Sequence, residues 1–475
     1  MNFLRVLALF AVIFLTGCNR NPENGPGTDD GRVIKASVWI TAPAQGILFG
    51  RQATDPEFRS PVNADLAIVV DTTVQYQYMD GFGNCLTGGS AILLNRMAPA
   101  ARTVLLQELF SPEGNGIGIS YLRISIGASD LSDRVFTYCD LGPGETDPLM
   151  ERFTIDPERE DLIPVLKEIL AINPSLKIMG SPWTAPLWMK TNNASVGGSL
   201  GKQWFDAYAL YFVKYIQAME AEGIPIDAIT VQNEPLHGGN NPSMVMTAAD
   251  QALFIRESLG PAFTAAGIDT KIVIYDHNAD RTDYPLAVLG DPEARKYIDG
   301  SAFHLYGGTI NDLSAVHEAY PSKNLYFTEQ WVGGPGDLAG DLKWHVENLI
   351  IGATRNWCRT VLEWNLASDP SYDPHTDGGC DRCLGTVTLD GNTVKRNPAY
   401  YILAHASKFV RPGSVRVSST EQTILPNVAF MTPGGEKVLI VLNTTDAKRN
   451  FNIRFRGLTM PVNLNGGSVG TWVWK

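Results

Sequence analysis

Between residues 76 and 410, short apolar β-rich runs alternate with longer segments whose apolar residues recur at spacings of three and four. The runs are Tyr78–Gly83, Ile117–Gly127, Leu176–Trp183, Ala228–Pro235, Lys271–Asn278, Ile298–Tyr306, Leu325–Gln330 and Thr360–Ala367, eight in all. Helical patterns occupy Ala91–Phe110, Arg159–Ile172, Lys202–Glu222, Thr247–Ala266, Leu338–Asn356 and Ala399–Phe409. In Lys202–Glu222, for example, Phe205, Tyr208, Phe212, Tyr215, Ile216 and Met219 fall on one helical stripe, and Gly223 stops it. Eight alternations predict an α/β fold, a (β/α)8 TIM barrel enlarged by insertions beyond the typical ~250 residues. A doubly wound sheet would want a Gly-rich phosphate loop after a strand, but Gly114, Gly116 and Gly118 precede one. The flanks, Val33–Val74 and Val415–Lys475, alternate apolar and polar residues between Gly, Asn and Thr, as in Lys437–Leu442 and Asn450–Phe455. They predict one β-sandwich built from both chain ends, with residues 33–75 as its first part, 76–410 as the barrel and 411–475 as its second part.

The N-terminus carries a different pattern. Arg5 precedes an apolar run, Val6–Leu15, too short to span a bilayer. It closes with Leu15-Thr16-Gly17-Cys18, which resembles the lipobox of exported bacterial lipoproteins. Residues 1–17 then read as a signal peptide, Cys18 as the lipid attachment site, and 18–32 as a Pro/Gly-rich flexible tether. Asn19, rather than Asp, after that cysteine points to the outer membrane, with the lipid as the chain's one membrane contact. Export implies an oxidising compartment. Of 6 cysteines, five remain beside Cys18, so they cannot all pair internally. Cys380 and Cys383 form a C-x-x-C in a Gly-rich loop; without a second pair to complete a zinc site, it reads as a disulfide or two free thiols.

Composition narrows the partners. With 44% hydrophobic and 19% charged residues, the 475-residue chain is a folded protein rather than a disordered one. Its net charge of -12 and lack of any Lys/Arg-rich run exclude an electrostatic nucleic-acid binder. The 10 Trp and 16 Tyr suit a neutral substrate stacked on aromatic faces.

In a barrel, functional residues sit at the C-terminal ends of strands. Those ends carry Arg123 and Asp130, Trp183, Asn233-Glu234, Asp276-His277-Asn278, His304 and Tyr306, Glu329, and Glu363-Trp364-Asn365. The set offers no Lys base, no Ser-His-Asp order and no triple-His metal site, so neither cofactor nor metal is expected. Glu234 and Glu329 each end an apolar run, where an unpaired charge would cost several kcal/mol. Two carboxyls facing across a barrel mouth suit glycoside cleavage, one protonating the leaving oxygen and the other attacking the anomeric carbon. Blander roles are open to several neighbours: Trp188 as core packing, His277 as a structural histidine, Arg123 as a buried ion-pair partner. His237, His317, His345, His375 and His405 read as structural or surface residues.

Several segments carry a resemblance. They are Asp80-Gly81-Phe82-Gly83, Leu122-Arg123 through Ser129-Asp130, the run from Ser181-Pro182-Trp183 to Met189-Lys190, Val231-Gln232-Asn233-Glu234-Pro235, Tyr275-Asp276-His277-Asn278, Phe303-His304-Leu305-Tyr306 and Phe327-Thr328-Glu329. In this order they resemble glycoside hydrolase family 30, which contains glucosylceramidases and endo-β-1,6-glucanases. The resemblance implies a retaining double displacement, with Glu234 as acid/base and Glu329 as nucleophile. It also implies that Asn233 bonds the sugar 2-OH and that Arg123 fixes the nucleophile. Asp130, Trp183 and Trp364 would line the terminal glucose pocket, and His304 and Tyr306 would orient or contact the nucleophile. Leu305 replaces a Trp of the animal glucosylceramidases, and the loop Leu236–Met244 is polar. The run Gln232-Asn233-Glu234-Pro235-Leu236-His237 resembles the β-1,6-glucanases, and that resemblance implies an endo-β-1,6-glucanase acting on a β-linked glucan. A glucosylceramide, a xylan, or a surface glycan bound without catalysis are the alternatives.

Overall fold

The computed structural model describes residues 33–60 and 66–475. The proposed signal, tether and Cys18 lie outside the described residues. Eight parallel strands close a barrel: β1 Gly81–Cys85, β2 Tyr121–Ser125, β3 Lys177–Ser181, β4 Ala228–Thr230, β5 Lys271–Asn278, β6 Ile298–His304, β7 Asn324–Glu329 and β8 Cys358–Asn365. Strands pair in chain order, and β8 closes on β1 through Thr360↔Gly81 and Leu362↔Gly83. Each falls on a run read from the pattern, but several runs overshoot. The sheet portion of β4 ends at Thr230, and the following residues stay beside its neighbours through single bonds from Val231 to Val273, Asn233 to Pro182 and Glu234 to Asp276.

The helices depart from the pattern at prolines. Ala91–Phe110 is two helices, Gly88–Arg96 and Pro99–Phe110, because Pro99 starts a new first turn where its missing N–H costs nothing. The first of these is capped by the Thr87 hydroxyl, which accepts from the Ser90 amide. Within Thr247–Ala266, a π-helical turn at Ile255–Leu259 precedes Pro261 and accommodates the donor that proline lacks. Among the described residues no helix is long and apolar enough to cross a membrane.

The chain ends share one nine-stranded sheet. Ser37–Ala42 lies antiparallel to Val469–Trp474, and Ala67–Tyr78 pairs with Val415–Ser419 and with Arg449–Phe455. The sheet folds over its own core, which includes Phe58, Leu439, Val441, Ile453 and Trp472. The alternate residues Val438, Ile440 and Leu442 join the barrel's outer core instead. That double burial explains why Lys437–Leu442 is a continuous apolar run. The two units are also bonded at a buried histidine. His405, on helix Pro398–Ser407, faces the Thr41 and Thr471 hydroxyls at 2.8 and 2.9 Å.

Inside the barrel, Tyr121, Met179, Ala228, Val273, Ala302, Tyr326 and Leu362 form one apolar layer, a residue from each of seven strands. Two tyrosines against two alanines fill it without a pore. This layer is the floor of the site.

Candidate active site

Strand side chains repeat every two residues, so the next inward position lies two residues above the floor. Counting up gives Arg123, Ser181, Thr230, His304, Thr328 and Trp364, a polar storey on an apolar one. On β5 the count would place Tyr275 inward. A register shift between Tyr275 and His277 breaks it, with Tyr275 and Asp276 both in the left-handed region at φ 71° and 65°. The bulge turns Asp276 into the barrel instead. A second shift, between Phe327 and Glu329, lets Thr328 and Glu329 both reach the site. Glu363 obeys the simple alternation and points outward, where the His345 ring meets it at 2.8 Å.

Arg123 is fully buried and is the hub of the storey. Its guanidinium donates to Glu329 Oε2 at 2.6 Å, to Asp276 Oδ2 and Asn233 Oδ1 at 2.7 Å, and to Ser181 Oγ at 3.1 Å. It lies 4.8 Å from the Trp183 ring centre, and Trp183 stacks on Trp364. Asp276 also takes three hydroxyl donors: Thr230 at 2.7 Å, Ser181 at 2.9 Å and Thr328 at 2.6 Å. Burial opposes its charge, but Arg123, then His304 and Thr328, hold its carboxyl far below the usual range. His304 bridges Asp276, 3.1 Å from Nε2, and Glu234, 3.2 Å from Nδ1. Against burial, Glu329 and these two carboxylates raise its pKa to about 9, so the ring is a cation that donates at both nitrogens.

One oxygen each of Glu234 and Glu329 lies, with a His304 nitrogen, within 4.8 Å of the others. Glu234 occupies the left-handed region at φ 45°. Its amide donates to Asp276 O at 3.0 Å and its carbonyl accepts from His237 at 2.8 Å, which hold that conformation. Taken singly, burial raises the pKa of Glu329, whereas His304 overcomes burial and lowers that of Glu234. The two carboxyls share one site and titrate together, and their contacts decide where the negative charge rests. Arg123 and the Tyr306 hydroxyl, at 3.0 Å, cover both oxygens of Glu329 with groups that donate to it. Among the described residues no side chain donates to Oε2 of Glu234. We therefore place the anion on Glu329 and the proton, when the pair holds one, on Glu234. As a metal site this cluster is already occupied by its own salt bridges, since both nitrogens of His304 and one oxygen of Glu329 are engaged.

Above the storey opens a cavity of about 300 Å³. Asp130, Trp183, Trp331 and Trp364 line it together with His237, Asn240, His277 and Asn278, and with Asn233, Glu234, Tyr306 and Glu329. Burial, then the charges of Glu329 and Glu234, push Asp130 up to about 7. The structure thus brings together Arg123, Asp130, Trp183, Asn233, Glu234, His304, Tyr306, Glu329 and Trp364. His237, read from the sequence as a structural or surface residue, and His277, a strand-end candidate for which a structural role was open, both face the cavity. His277 Nε2 is 4.0 Å from Glu234, and burial lowers its pKa to about 4. Trp188 packs edge-on against Trp204 and donates to Cys139 O, a structural role. Of the C-x-x-C alternatives the structure contains the disulfide, and both half-cystines line the cavity. Asp276 received no role from the sequence. Its position beside His277 and Asn278 at a strand end was the available signal, but the bulge that turns it inward has no signature there.

Comparison with known proteins gives a consistent picture. The family model described as the glycosyl hydrolase family 30 TIM-barrel domain matches residues 79–410, and that of the family 30 β-sandwich domain matches 413–472. Endo-1,6-β-D-glucanase BGN16.3 of Trichoderma harzianum is 35% identical over 429 residues, 85% of each chain. The lysosomal acid glucosylceramidase of Mus musculus is 29% identical, over 86% of this chain and 84% of its own. A solved structure, the endo-β1,6-glucanase BT3312, superposes with a TM-score of 0.85 at 36% identity, covering 93% of this chain and 99% of its own.

Proposed function

The chain belongs to glycosyl hydrolase family 30, and on that premise we propose that it is a retaining endo-β-1,6-glucanase with Glu234 as acid/base and Glu329 as nucleophile. The observation that carries this is the carboxyl pair, with oxygens within 4.8 Å and Arg123 bound to one member alone. Retaining pairs stand ~5–5.5 Å apart, whereas inverting pairs leave ~6.5–9.5 Å for a water. In the first step Glu234 gives its proton to the leaving oxygen while Glu329 attacks the anomeric carbon from the opposite face. Esterified Glu329 no longer bears charge, so its repulsion of the Glu234 anion vanishes and His304 draws the Glu234 pKa down. Glu234 is then a carboxylate, ready to take a proton from the incoming water. Asn233, oriented by its bond to Arg123, is placed for the sugar 2-OH. Trp183 and Trp364 offer stacking faces to the sugar ring that is attacked, and Asp130 a hydrogen-bond partner for its hydroxyls.

The linkage rests on the rim beside Glu234. Within Leu236–Met244 the two large apolar residues turn inward, Met244 fully buried and Leu236 against the core. Leu305 is buried as well. The polar face that is left suits a sugar leaving group better than lipid tails, which favours the glucan over glucosylceramide. Release of gentio-oligosaccharides from pustulan, with the β-anomer first in the proton NMR spectrum, is expected. Inertness on pustulan with turnover of a glucosylceramide micelle would reverse the choice, and first appearance of the α-anomer would overturn the mechanism. The reading includes acylation of Cys18 and an outer-membrane location. Palmitate labelling that disappears in Cys18→Ala supports it, and an unlabelled wild type refutes it.

A further inference from the structure

Residues 380–383 form a short turn closed by the Cys380–Cys383 disulfide, and its two ends are tied to different chain segments that contribute to the cavity lining. At the first end Cys380 lines the cavity together with Asp130. Just before it, the Thr376 amide and hydroxyl donate to Asp130 O at 2.9 and 3.2 Å. A Cβ on Gly379 would stand 2.3 Å from that oxygen, so only glycine permits this approach. At the second end, Cys383-Leu384 pairs antiparallel with Val332-Gly333, the segment that leaves the β7 terminus at Glu329. Gly334 extends the tie by donating to Arg382 O at 2.8 Å. Between the two ends the sulfurs sit in a cluster with Trp183, Trp331 and Trp364.

A disulfide that closes so short a loop removes little chain entropy from the unfolded state. Its main effect is on local geometry. Here it joins the stretch bonded to Asp130 O directly to the residue paired with Gly333. We propose that the Cys380–Cys383 disulfide is a positioning brace for substrate recognition, holding Asp130 and the Trp331 segment at the spacing that admits the sugar ring whose anomeric carbon is attacked. The brace acts through Asp130 and the tryptophans and does not touch the reacting atoms. It rests on the glycosidase reading, whose sugar pocket it shapes.

The other described cysteines, Cys85, Cys139 and Cys358, are buried and unpaired, so a mild reductant acts on this bond alone among the described residues. Steady-state kinetics on gentiotriose and pustulan should be measured for the oxidised protein, for protein treated with dithiothreitol, and after reoxidation. The Cys380→Ser/Cys383→Ser double variant provides a chemical duplicate. Reduction is expected to raise KM about tenfold on both substrates with kcat within about threefold, and reoxidation to restore KM. Unchanged KM after reduction, or a fall in kcat alone, overturns the brace while leaving the glycosidase assignment intact. No turnover by the oxidised protein overturns both.

Discussion

Arg123→Gln tests the electrostatic core of the site most directly. The guanidinium is fully buried and neutralises Asp276 and Glu329 at 2.7 and 2.6 Å. With charge centres about 4 Å apart and an effective dielectric near 20, its attraction for the Glu329 carboxylate is about 4 kcal/mol. At about 1.4 kcal/mol per pKa unit, loss of the cation raises the pKa of Glu329 by some two to three units. Glu329 must be ionised to attack, so the acid limb of the kcat/KM profile should move to higher pH by about that amount. Removing one partner of a buried pair also costs about 3–5 kcal/mol of stability, so the thermal midpoint should fall. Arg123→Lys separates charge from geometry. Lysine keeps the cation but cannot hold Glu329, Asp276 and Asn233 together, so it should lower kcat/KM at every pH with little movement of the limb. The assay is reducing-end release from a gentio-oligosaccharide between about pH 3 and 9. A folded Arg123→Gln enzyme whose acid limb coincides with that of the wild type would refute the reasoning.

Glu234→Gln and Glu329→Gln should each lose about a thousandfold or more in kcat with the fold intact by circular dichroism, and full activity in either would end the assignment. Azide should divide the roles, yielding a β-glycosyl azide with Glu234→Gln and an α-glycosyl azide with Glu329→Gln. Tyr306→Phe deletes one donor to Glu329 and should cost about 10- to 100-fold in kcat/KM, visible in the same assay. His405, buried between barrel and sandwich, is held neutral by burial down to about pH 3, whereas an unfolded histidine takes a proton near 6.5. Stability should be flat above about pH 6.5 and fall by up to about 1.4 kcal/mol per unit below it. In His405→Asn, denaturant titrations across that window should show a shallower slope.

Much of this architecture was legible because it follows from repetition. Eight apolar runs with helical stripes between them announce a barrel, and the barrel says that strand ends carry the chemistry. Glu234 and Glu329 stand out there because each closes an apolar run. Helix boundaries were lost where a single residue decides them, as at Pro99, whose effect on Ala91–Phe110 is local while the apolar stripe runs on past it. The two histidines facing the cavity were lost for another reason. A lone histidine is usually satisfied by its surroundings, and although His237 stands three residues after Glu234, neither its neighbours nor those of His277 show that the side chain faces the cavity.

The deeper gap concerns Asp276, and its cause is geometric. Sequence reasoning about strands assumes a strict two-residue period, and the site depends on two departures from it. One bulge, at Tyr275–Asp276, turns a carboxylate inward that the period would point at the helices. The other, beside Thr328, lets two consecutive residues of β7 share the same interior. Without the first, Arg123 would face Glu329 alone, and His304 would lose the partner that holds its Nε2. Without the second, Glu329 would sit on the outer face, as Glu363 does on β8 just before that strand's own register shift. A single strand has no reason to bulge where these do. The shifts are settled by pairing with β6, which both bulged strands flank, so Asp276 and Glu329 converge on the same His304 from opposite sides.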